Sequence, residues 1–188
     1  MTMKRWLAML AITLMLCGCG SENRELSRGL AFREKLLASQ GCNFTAAITA
    51  DYADAVHSFT LDCHMDSTGV VAFTVTAPES IAGITGSLSA QGGKLTFDGK
   101  ALAFDMLAEE TVSPVSGPWV LMQALRGGYL RACGMDGENL RMTCDASYDE
   151  DALQVDIWLD AADAPIRGEV LWEGRRVLSM DVSNFTFR

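Results

Sequence analysis

The sequence predicts a mainly β protein with two helices (α+β): a strongly curved antiparallel sheet, an incomplete β-barrel, with the helices on its concave side. Three observations carry this. Apolar and polar residues alternate in about ten short segments, the pattern of strands buried on one face. Turn signals separate those segments, and Asp98-Gly99 is the strongest of them. Only residues 21–39 and 118–127 have helical spacing. A run of adjacent antiparallel strands this long curls or closes on itself, and the helices then cover its inner face.

An export signal precedes the first helix. Lys4 and Arg5 give a positive start, and residues 6–16 are apolar but too few to cross a bilayer as a helix. Leu16-Cys17-Gly18-Cys19 resembles a bacterial lipobox, with leucine three residues before Cys19 and glycine just before it. The resemblance implies that Cys19 is acylated on sulfur and that residues 1–18 are removed. The expected organisation is a lipoprotein signal peptide over 1–18, and a lipidated N-terminus, tether and first helix over 19–40. Residues 41–188 then form a single domain together with that helix. The expected location is the cell envelope, lipid-anchored on the extracytoplasmic side, at the outer face of the cytoplasmic membrane or at the outer membrane.

Charge narrows the partners. The signal holds two of the 15 basic residues and none of the 24 acidic ones, so the mature chain would carry 13 against 24, a net charge of −11. Phosphate backbones and anionic headgroups repel such a surface, which excludes nucleic acid. Membrane attachment is expected through acyl chains, since each buried methylene contributes about 0.8 kcal/mol.

Along the chain, Leu26, Leu30, Phe32, Leu36 and Leu37 place the first helix, which Gly41 closes. Strands follow over 42–49 and 56–65, with Asp51-Tyr52-Ala53-Asp54 as their turn. That turn pairs Ala46 with Phe59, Phe44 with Leu61 and Cys42 with Cys63. Directly opposed residues lie within disulfide reach, and thiols outside the cytoplasm persist as disulfides, so a Cys42–Cys63 bond is expected. Strands over 70–76, 84–90, 94–97 and 100–104 continue the meander. Residues 105–117 break it. Later strands are read over 129–133, 140–144, 153–159, 166–172 and 176–187. The strands over 129–133 and 140–144 flank a Gly134-Met135-Asp136-Gly137 turn region, and an even-length loop between them sets Cys133 opposite Cys144, the second expected disulfide.

The second helix starts at Pro118 and ends at Gly127-Gly128. Between them only Gln123 and Arg126 are strongly polar. So apolar a helix is buried on most sides or covers something apolar. Trp119, Met122 and Leu125 have the spacing of a lid over an apolar ligand, and Trp158 and Trp172, on late strands, are read as lining the same concavity.

This order of elements resembles the LolA/LolB-like superfamily of bacterial lipoprotein carriers, which includes regulators of the MucB/RseB type and lipidated members. The resemblance rests on the leading helix, the long meander with its Leu95-Thr96-Phe97-Asp98-Gly99-Lys100 hairpin, and the apolar helix from Pro118 to Leu125 inserted midway. It implies an incomplete barrel lidded by helices around an apolar cavity.

Nothing in the sequence assembles a catalytic site. His57 and His64, seven residues apart on one strand, face opposite sides about 23 Å apart if extended and cannot share a metal. The cysteine spacings give no zinc pattern, and no phosphate loop or nucleophile elbow occurs. Glu109-Glu110 and Asp149-Glu150-Asp151 are read as solvated loops. The expected protein is therefore not an enzyme, has no cofactor and binds no metal. Its expected function is binding of an apolar ligand, a lipid or lipoprotein acyl chain, in a half-barrel cavity. The alternative is a protein-docking envelope regulator or assembly factor with a filled interior. A cavity of several hundred Å³ is the feature that separates them.

Overall fold

A computed structural model describes residues 21–104, 107–108, 111–146 and 153–188. The signal over 1–18, Cys19, Glu109-Glu110 and Asp149-Glu150-Asp151 lie outside the described residues.

The described residues open with helix α1 (Ser21–Ala38). Six strands follow: β1 (Gly41–Asp51), β2 (Val56–Asp66), β3 (Val71–Ala77), β4 (Thr85–Ser89), β5 (Gly92–Phe97) and β6 (Lys100–Phe104). A two-stranded ribbon, β7 (Leu107–Ala108) with β8 (Thr111–Val112), stands where the sequence shows only a break. Helix α2 (Gly117–Gly127) comes next. The chain ends with β9 (Tyr129–Asp136), β10 (Asn139–Asp145), β11 (Gln154–Leu159), β12 (Pro165–Trp172) and β13 (Arg175–Phe187).

Eleven strands form one curved antiparallel sheet in the order β6-β5-β4-β3-β2-β1-β13-β12-β11-β10-β9. Two meanders therefore run outward from a central seam, β1 against β13. The connection between the sheet's two edges passes across its inner face as α2. Both helices pack on that face, as expected. α1 runs along the β9 edge, with Phe32 and Leu36 buried beneath it. Phe32 meets the rings of Phe185 and Phe187 at centroid distances of 6.0 and 5.8 Å. The alternation read from sequence holds: Cys42, Phe44, Ala46 and Ile48 of β1 and Leu61, Cys63 and Met65 of β2 all point into the core.

Register is where the sequence reading fails. The β1–β2 loop is residues 52–55, one position later than expected, because Asp51 pairs with Val56 and its carboxylate accepts from the Ala53 amide at 3.0 Å. A loop displaced by one residue shifts every cross-strand pair by two. Cys63 thus faces Phe44, and Cys42 faces Met65. The β9–β10 turn is likewise displaced, to Gly137-Glu138, with Gly137 at φ 62° where glycine is favoured. Cys133 faces Met142, and a bulge at Thr143/Cys144 puts Leu130 opposite Cys144. The expected Cys42–Cys63 and Cys133–Cys144 disulfides are absent, and all four cysteines are free thiols. A shift of two preserves which face each side chain occupies, so the core survives the error while the pairing does not.

Candidate ligand cavity

Helix α2 is held on three sides. Below it, Leu121, Met122 and Leu125 are fully buried against the sheet. The close approach needs glycine: a Cβ on Gly168 of β12 would come within 2.6 Å of the Leu121 side chain, and one on Gly117 within 2.9 Å of Met180 Sδ. At the turn between β2 and β3, Gln123 Nε2 donates to the Gly69 carbonyl at 3.1 Å and Arg126 to that of Ser67 at 3.1 Å. At its C-terminus, Arg33 of α1 donates to the carbonyls of Leu125 at 2.8 Å, Ala124 at 3.0 Å and Gly128 at 2.9 Å. Carbonyls at a helix end lack intrahelical donors; here Arg33 serves them, Ala124 also accepting from the Gly128 amide at 3.1 Å, and its charge suits the negative end of the helix dipole.

The face of α2 turned away from the sheet borders a cavity of about 470 Å³. Trp119, Val120 and Ala124 form its α2 wall, and Val112, Ala90 and Leu153 close it from β8, the β4–β5 turn and the start of the late strands. Gln123 also reaches this space, but its amide nitrogen is already engaged at Gly69. The volume falls in the range typical of small-molecule sites, and the lining is largely apolar, so the driving force available here is desolvation.

Of the five residues predicted from sequence to line or cover such a cavity, Trp119 does so. Met122 and Leu125 are core instead. Cys42 Sγ lies 3.7 Å from Met122 Sδ, deep under the helix. Trp158 sits on the outer face of the sheet. Its ring lies between the guanidinium groups of Arg141 and Arg167, 5.3 and 5.0 Å from the centroid, and its Nε1 donates to Asp136 at 2.8 Å. Beside it, the carboxylate of nearly buried Asp156 accepts from Arg141 and Thr143, both at 2.7 Å. Trp172 is half-buried against the core at the end of β12, away from the cavity. Ala90, Val112, Leu153 and the clamping Arg33 carry no signal in the sequence, because only the fold brings them to α2.

A larger hollow, about 570 Å³, lies on the outer face of β1–β4. Its polar side chains mostly satisfy one another: Thr45 donates to Asp62 at 2.9 Å, and His64 Nδ1 lies 2.9 Å from Asn43 Oδ1. The smaller, more apolar cavity is the better candidate site. Among the described residues no three His, Cys, Asp or Glu side chains are grouped to hold a metal, and no helix is long and apolar enough to cross a membrane.

Burial sets the chemistry of the thiols. It pushes Cys42 up to about 12 and Cys144 up to about 11, and Cys63 further still, with Asp62 and Cys42 adding to the last. Cys133 is raised by burial and by Glu25. None of the four is poised as a nucleophile.

No protein-family profile and no curated protein matches the chain. Among solved structures it is similar to an uncharacterized conserved protein from Thermus thermophilus, at 12% identity and TM-score 0.48, with 87% of each chain covered. It is similar to a putative outer membrane lipoprotein-sorting protein domain from Vibrio parahaemolyticus, at 11% identity and TM-score 0.46, over 89% of this chain and 94% of that one. It is also similar to a LolA superfamily protein from Nitrosomonas europaea, at 10% identity and TM-score 0.43, over 85% and 93%.

Proposed function

We propose that this is a lipid-anchored, extracytoplasmic binding protein that takes an apolar ligand, a lipid or lipoprotein acyl chain, into the cavity beside α2 without catalysing a reaction. The observation that carries this is the cavity itself, about 470 Å³ and walled by Trp119, Val120, Ala124, Val112 and Leu153. Acyl methylenes entering it leave water for apolar side chains. The anchor is Cys19, which the lipobox supports. The half-barrel architecture is consistent with such a role.

Because α2 is fixed by Arg33, Gln123, Arg126 and its buried leucines, the helix is a wall of the site and not a gate. The test is a Trp119→Ala variant assayed with a fluorescent fatty acid. Affinity falls at least about fivefold while the melting transition stays close to that of the wild type, since Trp119 is only partly buried. Wild-type protein that binds no fatty acid, and yields no lipid on extraction and mass spectrometry, would sink the ligand reading. The second reading, docking of a partner protein, is favoured by strongly exposed Phe97 and Leu102 on one face of the β5–β6 hairpin. It would then lead.

A further inference from the structure

We infer that one flank of α1 lies directly on a lipid leaflet and sets the α2 wall of the cavity beside it; this deepens the proposed anchoring through Cys19 and rests on it.

The observation is an exposed stripe. Leu26, Leu30 and Leu37 are 38%, 46% and 53% exposed, although Phe32 and Leu36 of the same helix are buried. At about 100° per residue, the three leucines fall within about 40° of one another and roughly a quarter-turn or more from the buried side. They form a line about 16 Å long, parallel to the helix axis. The cations Arg28 and Lys35 lie on the opposite flank, and the exposed carboxylate of Glu34 falls about 40° outside the line. Arg33, which does fall beside it, is occupied by the three carbonyls at the end of α2.

What covers the stripe follows from where the helix begins. The described part of α1 begins at Ser21, two residues after Cys19. Two residues span no more than about 7 Å, so an acylated Cys19 leaves almost no tether between leaflet and helix. A helix that starts at the headgroups and carries an apolar line along its length buries that line by lying flat. The acidic net charge of the chain disfavours an anionic surface, so the expected partner is an uncharged leaflet met by apolar side chains.

The consequence concerns the cavity. Ala124 and Gly128 line it, and Arg33 binds their carbonyls from within the stripe. One side chain, Arg33 beside the stripe, therefore links the leaflet-facing line to the end of the cavity wall.

The experiment uses the full-length protein purified from membranes and reconstituted in phosphatidylcholine vesicles. A photo-cross-linking residue replaces Leu30 or Leu37, both exposed, or Ser87 on the outer face of β4 as control. The proposal expects lipid adducts at 30 and 37 at least about fivefold above those at 87. Adducts equally low at all three positions, in protein that carries the acyl mass and floats with the vesicles, would overturn the leaflet contact and leave the anchor standing. Adducts to a second protein chain at 30 and 37 would overturn it in favour of a docked partner. Protein without acyl mass on Cys19 would overturn the anchor and this contact together.

Discussion

Arg33 Nη2 of α1 lies 2.9 Å from the Gly128 carbonyl that follows α2, and through two further bonds the same guanidinium closes the C-terminal end of that helix. The cavity wall and the N-terminal helix are thus one mechanical unit. Arg33→Ala removes a donor from the carbonyls of Leu125, Ala124 and Gly128, of which Ala124 keeps the Gly128 amide at 3.1 Å, and is expected to cost about 2–3 kcal/mol. Arg33→Lys recovers part of this, because an ammonium keeps the charge but loses the planar fork. Urea unfolding of both variants checks the order. Equal stability of the wild type and Arg33→Ala would show that the clamp is idle.

Met122 separates lid from core. It is fully buried against Cys42, so Met122→Glu places a carboxylate among packed side chains with no partner and is expected to cost at least about 4 kcal/mol. Calorimetry should show loss or collapse of the melting transition. A well-folded Met122→Glu protein that has lost only fatty-acid binding would return Met122 to the lid.

The four thiols make a third test. Cys42, Cys63 and Cys144 are buried and Cys133 is partly exposed, and all four are raised above the usual thiol range. In the native protein at pH 8, iodoacetamide is expected to modify Cys133 slowly and the other three only after unfolding. Peptide mapping with and without urea reads this directly. A native Cys42–Cys63 bond in that map would contradict the observed registers.

Tyr52 predicts an alkaline dependence. Burial pushes its phenol up to about 12 from 10.0, and its hydroxyl donates to the Val112 carbonyl, tying the β1–β2 loop to β8. The folded state favours the neutral form, so this contribution is complete below pH 10 and is lost as pH rises from about 10 to about 12. Cys42 and Cys144 titrate in the same direction, so the comparison is between the wild type and Tyr52→Phe. The variant should be less stable at pH 8, and the gap should narrow toward pH 12. A gap independent of pH would mean that the hydroxyl does not titrate with unfolding.

How far the sequence reveals this molecule depends on which interaction carries the information. The period-2 alternation in β1 and β2 fixed the inner face, because a side chain's face depends only on parity. The disulfides required register, and register was decided by one Asx contact, Asp51 to Ala53, which moved the loop by a residue. Helix α2 announced itself through Pro118 and Gly127-Gly128, but nothing in its apolar spacing distinguished Trp119, which lines the cavity, from Met122, which fills the core. The Arg33 clamp joins residues 91 to 95 positions apart and leaves no local trace.

The central seam has a consequence for biogenesis. β1 pairs with β13 over eight positions, and Gln40 and Gly41 exchange hydrogen bonds with Arg188 at 2.9 Å. If the chain is exported as proposed, translocation through a membrane would deliver β1 first and β13 last, and the innermost ladder of the sheet would wait for the chain's final strand to emerge. Until then β1 presents an unpaired apolar edge, a template for pairing with another chain. An acylated N-terminus would hold every such intermediate at the membrane during that wait, spacing nascent chains apart while the long-range closure completes.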